Sequence, residues 1–257
     1  MNTVESGHAV RTVPVYEVLA ADIKSLGVEA VFGLMSDDTA LFVSALDMVG
    51  ITFHGGRHEN AAISMAEGYA YASGSFAIAL VCRGPATANG LHAAVYAART
   101  GSRVLIIYGD AAFGTSSTNA LGPDYKAFNA LGVLTAAGLQ VLRATSAAGA
   151  RTTLADAAGL AMQGNAVALL LPTSIQLSKL EWDDADPAPS IVVAETSAES
   201  ARPEAVQSAV DCLGRSQRPL IIAGLGAHRA GAREALEQLA DRIGAMLLTT
   251  ARAKEMF

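Results

Sequence analysis

Short apolar runs of strand length alternate along the chain with longer segments in which apolar residues recur at helical spacing. The short runs predict strands at Ala30–Leu34, Ile51–His54, Phe76–Cys82, Val104–Tyr108, Leu139–Arg143 and Val167–Leu171. The longer segments predict helices at Val15–Leu26, Thr39–Val49, Glu59–Ser73, Ala86–Arg99 and Ala147–Met162. Apolar strands that alternate with helices are typical of a parallel sheet covered on both faces. We therefore predict an α/β fold with a doubly wound, six-stranded parallel sheet in residues 1–177.

Glycines mark the ends of four of the predicted helices. Gly27, Gly50, Gly74 and Gly101 each follow a helical segment by one or two residues. A residue in the left-handed conformation commonly ends a helix, and glycine adopts it without steric cost. These positions are predicted to be helix C-caps.

The pattern changes after the sixth predicted strand. Residues 178–202 combine Asp, Pro, Ser, Ala and Glu without a regular period, which predicts an exposed linker. A second alternation follows at Pro203–Leu213, Pro219–Ala223, Ala230–Ile243 and Ala245–Thr249, predicted as helix, strand, helix and strand. A layer of two strands cannot cover its helices well. Residues 203–257 are therefore predicted to form an incomplete Rossmann-like α/β domain.

The composition fits a protein with a substantial core, since 51% of the 257 residues are hydrophobic and 16% are charged. The net charge of −6 and the lack of any basic run argue against nucleic acid and membranes as partners. The apolar runs are too short to span a bilayer, and the first residues lack the apolar core of a signal peptide. Cys82 and Cys212 lie far apart in the sequence, which fits reduced thiols in a cytoplasmic protein.

The candidate for chemistry is Glu59. It follows the strand Ile51–His54 and the pair Gly55–Gly56, and it begins the next predicted helix. Open parallel sheets bind ligands at the carboxyl ends of their strands, where such a residue would lie. The alternative is an acidic residue that only complements a helix N-terminus.

The same segment resembles a known family. Arg57–Ala70 reads RHENAAISMAEGYA and is similar to the motif RHE-x-A-A-x-x-M-A-x-G-Y-A of acetolactate synthase-like thiamine diphosphate enzymes. Four further segments resemble motifs of that family in the same order: Val28–Gly33 (VEAVFG), Arg83–Asn89 (RGPATAN), Val104–Gly109 (VLIIYG) and Pro219–Ala227 (PLIIAGLGA). The resemblance implies a pyrimidine-binding domain at 1–177 and the start of the family's central domain at 203–257.

The resemblance implies a thiamine diphosphate-dependent lyase or transferase that decarboxylates or ligates 2-oxo acids. Glu59 would be catalytic, because the family's glutamate bonds N1′ of the aminopyrimidine and shares a proton with it. Pro85 and Asn89 would contact the cofactor as well, although ordinary turn and helix-cap chemistry would also explain them. The substrate stays open, as does the choice between decarboxylation and carbon–carbon ligation.

Some positions depart from the family pattern. Ala86 stands where the family usually has glycine, and Asn129–Ala130 replaces a glutamine–glutamate pair of biosynthetic acetolactate synthases. In the loop Leu34–Asp38, Asp38 is expected to cap the following helix, and Met35 to pack in the core or beside the cofactor. His54, His58 and His92 are expected to bond solvent or backbone rather than a metal.

The resemblance also implies a further domain and a metal site that residues 1–257 do not supply. Family members are about twice as long and hold Mg²⁺ and the diphosphate on a further domain, so no metal ligand is assigned here. The chain is expected to be a fragment, inactive alone, of a homodimeric or homotetrameric enzyme, or to pair with a separate diphosphate-domain subunit. In some relatives the central domain binds FAD, a minor alternative for residues 203–257.

Two other functions remain open at this point. A catalytically silent α/β assembly subunit or pseudoenzyme would keep the scaffold for protein contacts. A nucleotide-binding protein of Rossmann type would rest on Gly224-Leu-Gly226 alone, which is a weak signal.

Overall fold

The computed structural model describes residues 10–112, 125–183, 185–192 and 200–257. The chain divides into two compact units, 1–194 and 195–257. The division falls inside the segment 178–202 that the sequence predicts as a linker. Each unit is described by itself.

The first unit is built on a six-stranded parallel sheet in the order β3-β2-β4-β5-β7-β6. Its strands, numbered along the whole chain, are β2 (Ala30–Gly33), β3 (Thr52–Gly55), β4 (Ala77–Val81), β5 (Val104–Asp110), β6 (Gln140–Arg143) and β7 (Val167–Pro172). Every residue of the neighbouring strands β4, β5 and β7 is buried, because helices cover both faces of the sheet. The predicted sheet is confirmed.

Helices cover the two faces in two groups. They are α1 (Val15–Ser25), α2 (Ala40–Met48), α3 (Glu59–Ser73), α4 (Ala86–Arg99), α5 (Ala130–Ala136), α6 (Ala147–Met162) and α7 (Thr173–Gln176). Apolar residues of α1, α2 and α6 form one core with the sheet. Those of α3, α4 and α5 form the other core. This arrangement confirms the doubly wound fold.

The four predicted glycine caps are confirmed. Gly27, Gly50, Gly74 and Gly101 have φ angles of +76°, +76°, +67° and +61°. These positive angles end α1, α2, α3 and α4 and turn the chain toward the next strand.

The structure differs from the sequence interpretation within 178–202. Residues Lys179–Trp182 form β8, which pairs antiparallel with β1 (Arg11–Pro14) so that Arg11 lies opposite Trp182. Arg151 also donates a hydrogen bond of 3.1 Å to the carbonyl of Pro187, which anchors the chain beyond β8 to α6. A short strand whose partner is so distant in sequence leaves no period in the local pattern, so it was predicted as linker.

The second unit has two parallel strands, β9 (Leu220–Ala223) and β10 (Met246–Thr249). Its helices are α8 (Pro203–Gly214), α9 (Leu225–Arg229) and α10 (Arg233–Ile243). The single helix predicted at Ala230–Ile243 is wrong at its start, because Gly231 has a φ of +62° and separates α9 from α10. Within the described ranges, no helix is long and apolar enough to cross a membrane.

Candidate active site

Glu59 lies at the carboxyl edge of the sheet. The strand β3 ends at Gly55, the Gly56 N–H donates to the Gly33 carbonyl at 2.7 Å, and Glu59 is the first residue of α3. The preceding residue, His58, caps the helix by accepting a hydrogen bond of 3.2 Å from the Asn60 N–H on its Nδ1. Glu59 is only 7% exposed, so its carboxyl group is held in a nearly closed environment.

Asn89 is brought to Glu59 from the neighbouring helix. Its Nδ2 donates to Glu59 Oε2 at 3.2 Å, and no other side-chain hydrogen bond reaches this carboxyl group from the described residues. A second bond between the helices runs from the Ala93 N–H to Asn60 Oδ1, at 2.8 Å. The structure thus brings together two of the predicted site residues, which are 30 positions apart in sequence.

Close packing of α3 and α4 depends on Gly90. A Cβ at this position would lie 2.7 Å from Ile63 Cδ1 and 3.5 Å from Glu59 Cβ. Thr87 lies one turn earlier on the same face of α4, since residues three apart share a helix face. Its hydroxyl group is buried and has no hydrogen-bond partner among the described residues. The sequence reasoning missed Thr87, because a threonine in the first turn of a helix is unremarkable by itself.

Pro85 precedes α4 as its N-cap residue and is exposed. It lies in the same turn as Gly84, whose φ is +79°. The described interactions do not join Pro85 to Glu59. The role of Pro85 in cofactor binding therefore stays a prediction.

A second carboxyl group at this edge, that of Asp38, accepts three hydrogen bonds. Oδ1 accepts from Ser36 Oγ at 2.9 Å and from Lys126 Nζ at 3.0 Å. Oδ2 accepts from the backbone N–H of Arg83 at 2.7 Å. The Asp38 side chain is 3% exposed. The expectation that Asp38 caps α2 is therefore wrong, because its acceptors face β4 and the segment around Lys126 instead.

Lys126 joins Asp38 to its neighbour Asp37, with which it forms a short ion pair. Burial alone would lower the pKa of the Lys126 ammonium, but hydrogen bonds to Asp37 and Asp38 raise it above its ordinary value. Hydrogen bonds from Lys126 and then from Ser36 hold the pKa of the Asp37 carboxyl well below its usual range. The lysine is thus a fixed cation at physiological pH.

A cavity of about 230 Å³ opens beside this cluster on the α1 side of the edge. It is lined by Tyr16, Asp37, Asp38, Leu41, Arg83, Thr173, Gln176 and Leu177. Glu59 is not among the lining residues, so the cavity and the Glu59–Asn89 pair occupy different parts of the same edge.

The other sequence candidates lie apart from Glu59 or serve the backbone. His54 stacks on Phe32 with ring centroids 5.2 Å apart, and Asn129 caps α5 through the Gly132 N–H at 2.9 Å. Met35 is 60% exposed, so core packing is wrong for it. Among the residues described, no group of three or more His, Cys, Asp or Glu side chains is placed to hold a metal ion.

Taken together, the fold and the buried carboxylate define an open, parallel α/β protein with its candidate site at the strand ends. Two family models match the chain. The N-terminal TPP binding domain of thiamine pyrophosphate enzymes matches residues 14–131, and the central domain of those enzymes matches residues 206–257. The chain belongs to the thiamine pyrophosphate (thiamine diphosphate) enzyme family.

Individual proteins agree with this assignment. A protein named "Probable acetolactate synthase large subunit" from Methanococcus aeolicus is 27% identical over 244 residues, which are 93% of this chain and 40% of the relative. A solved structure described as a "putative thiamin diphosphate-dependent enzyme" from Mycobacterium smegmatis superposes with a TM-score of 0.73 at 21% identity. That match covers 94% of this chain and 45% of the other, and it shows the fold alone. The chain therefore spans less than half the length of both.

Proposed function

We propose that the protein is a thiamine diphosphate-dependent 2-oxo acid decarboxylase or carboligase, similar to acetolactate synthase, with Glu59 as its catalytic carboxylate. The observation that carries the proposal is the burial of Glu59 at the carboxyl edge of the sheet, where the described residues place a single side-chain donor on one of its two oxygens. This residue lies inside the part of the chain that the N-terminal TPP binding model matches.

The donor set fits an aminopyrimidine ring. Because Asn89 occupies Oε2, Oε1 is left to accept or donate one hydrogen bond to a ring nitrogen. The Thr87 hydroxyl, one turn before Gly90 on α4, is fully buried, so it is not assigned to the ligand. The fit therefore rests on the two oxygens of Glu59, of which Oε2 is bonded to Asn89 and Oε1 can bond a ligand.

The residues of this chain would hold and move one proton. When bound, thiamine diphosphate supplies the electron sink for the carbanion formed at the substrate's carbonyl carbon. Glu59 would share a proton with the ligand's ring nitrogen through Oε1, while the Asn89 amide keeps Oε2 in place. The tight packing at Gly90 would hold α4 against the start of the Glu59 side chain. The chain thus contributes geometry and one proton-exchanging group.

The remaining parts of the proposal concern the whole protein. The alignment covers only 40% of the matched acetolactate synthase, so most of that relative lies outside the part that this chain matches. We infer that Mg²⁺ and the diphosphate are bound by residues outside the described ranges. The cofactor would then lie between this unit and another, either in a homodimer or homotetramer or with a separate subunit, in the cytoplasm. On that reading residues 1–257 alone are inactive.

The first prediction is that Glu59→Gln in the complete protein abolishes cofactor activation. Glutamine can still hydrogen-bond a ring nitrogen, but it cannot exchange the proton. We expect deuterium exchange at C2 of bound thiamine diphosphate, followed by NMR, to slow by about 10²–10⁴-fold. Binding of thiamine diphosphate with Mg²⁺, measured by calorimetry, should weaken far less.

The matched control is Glu67→Gln, the same change two turns further along α3. Glu67 accepts a hydrogen bond from Ser102 at 2.8 Å and lies away from the carboxyl edge, so C2 exchange should keep its wild-type rate. Undiminished exchange in Glu59→Gln would refute the catalytic role. If the wild-type protein binds the cofactor but shows no accelerated exchange, the protein is instead a catalytically silent relative.

A further inference from the structure

We propose that Asp38 and Lys126 form a clamp on the turn before α4, and that this clamp positions Asn89 against Glu59. The inference rests on the proposed function for its catalytic consequence only, because the geometry of the turn can be measured without cofactor. Asp38 and Lys126 act here as positioning residues and would not touch the reacting atoms.

Asp38 holds the turn from the side of β2. Its Oδ2 accepts the Arg83 N–H at 2.7 Å, and Arg83 is the first residue of the turn 83–85, which precedes α4. The Asp38 carboxyl group also packs closely against β5. Gly109 lies in that strand, and a Cβ at this position would collide with Asp38 Oδ2. Asp38 is therefore fixed against the ends of two neighbouring strands at once.

Lys126 holds the turn from the opposite side. A Cβ on Gly84 would lie 2.5 Å from the Lys126 carbonyl oxygen and 3.0 Å from its Cα, so the two backbones are in direct contact. The Lys126 ammonium then reaches back to Asp38 Oδ1 at 3.0 Å. Asp38, Arg83, Gly84 and Lys126 thus form a closed ring of contacts around the start of the turn.

The clamp is coupled to Glu59 through α4. The turn leads directly into α4, and Asn89 lies in its first turn. The bond from Asn89 Nδ2 to Glu59 Oε2 is 3.2 Å long, at the upper end of the normal range. A shift of the start of α4 away from α3 would lengthen and weaken it. A Cβ on the next residue, Gly90, would lie 2.7 Å from Ile63 Cδ1, so α4 packs closely against α3 beside Asn89.

A buried ion pair is weak evidence for stability, since desolvation offsets its attraction. The first unit contains a second pair that serves as a comparison. Arg151 Nη2 and Nε bond the Asp22 carboxyl at 2.8 and 2.9 Å and join α6 to α1. Asp22 has a buried side chain like Asp38, but its hydrogen bonds go to Arg151 on α6 and not to residues 83–89. The clamp hypothesis predicts different consequences for the two pairs.

The test uses the complete protein with three variants: Asp38→Ala, Lys126→Met and the control Asp22→Ala. Amide hydrogen exchange is measured without cofactor by mass spectrometry. We expect the protection of residues 83–89 to fall at least tenfold in both clamp variants. In the control, protection should fall around α1 and α6 while residues 83–89 keep their wild-type protection.

The catalytic consequence is read from C2 exchange and from cofactor binding. The clamp variants should slow C2 exchange about tenfold with a much smaller change in the dissociation constant of thiamine diphosphate, whereas Asp22→Ala should change neither. Lys126→Arg keeps the cation and should restore most of the protection at 83–89. If Asp38→Ala fails to fold, Lys126→Met decides the question.

Two results would overturn the clamp. One is wild-type protection of residues 83–89 in Lys126→Met, and the other is equal loss of that protection in Asp22→Ala. Failure of the proposed function is distinguishable, because it would appear as wild-type C2 exchange in Glu59→Gln and leave the protection pattern unchanged.

Discussion

The two buried carboxyl groups at the carboxyl edge differ in how many donors they meet. Asp38 accepts bonds from Ser36, Arg83 and Lys126, so its oxygens are committed to the protein. From the part of the chain that the structure describes, Glu59 accepts one side-chain bond, from Asn89, which leaves its second oxygen available. A carboxyl group whose two oxygens both accept hydrogen bonds from the protein holds neighbouring segments in place. A carboxyl group with one oxygen left over can exchange a proton with a ligand. The difference explains why the proposed chemistry belongs to Glu59.

The thiol of Cys82 gives a prediction at the residue scale. Burial, and next the negative charge of Asp38, raise the pKa of this thiol, and its Sγ–H donates to the Leu34 carbonyl at 3.0 Å. Because the thiolate is the reactive form, alkylation by iodoacetamide should begin at higher pH than for a free cysteine, whose pKa is about 8.5. Mass spectrometry of labelled peptides over a pH series measures this. Labelling of folded Cys82 at the rate of the unfolded chain would contradict it.

The sequence identified some of the candidate residues at the carboxyl edge and missed the contacts of others for a physical reason. Glu59 and Asn89 stand in motifs whose order resembles a family, so each could be named from its neighbours. The partners of Asp38 could not be predicted in this way, because Arg83 and Lys126 lie 45 and 88 positions away from it in the sequence. A loop carboxylate beside a helix start has a local explanation as a cap, and only the fold shows that it bonds another strand.

At the scale of elements, the strands and helices that pack in the sheet were predicted well because their apolar pattern is local. The strands β4 and β5 are continuous apolar segments in the sequence and are fully buried in the structure. The helices α1 to α4 are followed by glycines with positive φ. Short elements were missed. They are the helix α5, of 7 residues, and the strand β8, of 4 residues. The strand β8 pairs with β1, which is far away in the sequence, so a local pattern does not reveal it.

Packing between α3 and α4 gives a prediction that compares two glycines in helices. Gly90→Ala would place its Cβ 2.7 Å from Ile63 Cδ1 and should lower the free energy of unfolding by about 1–3 kcal/mol. Gly68→Ala meets no atom within 4 Å and should raise it by about 0.5–1 kcal/mol, since alanine loses less backbone entropy in a helix. Urea denaturation of both variants measures the two changes. Equal effects of the two substitutions would contradict this account of the α3–α4 contact.

At the scale of the whole first unit, the Asp22–Arg151 pair connects elements from opposite ends of the sequence. Its two hydrogen bonds join α1 to α6, and Arg151 also bonds the chain after β8. The pair is largely buried, with side chains 7% and 17% exposed. Its role is therefore to hold the outer layer of the unit together.

Arg151→Met should be strongly destabilising, because it leaves the Asp22 carboxylate buried without its cation. Breaking a buried pair in this way costs about 3–5 kcal/mol. Asp22→Asn combined with Arg151→Met should recover part of the loss, since no buried charge remains. Thermal and urea unfolding of the single and double variants checks this prediction. A double variant that is less stable than the single one would contradict it.

The antiparallel pairing of β1 with β8 brings together the first and the last strand described in the first unit. Arg11 lies opposite Trp182 and Pro14 opposite Lys179, so the incoming and outgoing strands run side by side. A module whose two connections adjoin can be grafted into a surface loop of an unrelated host without stretching that host. The pairing thus places Arg11 and Trp182 close enough to be joined to neighbouring points of a host chain.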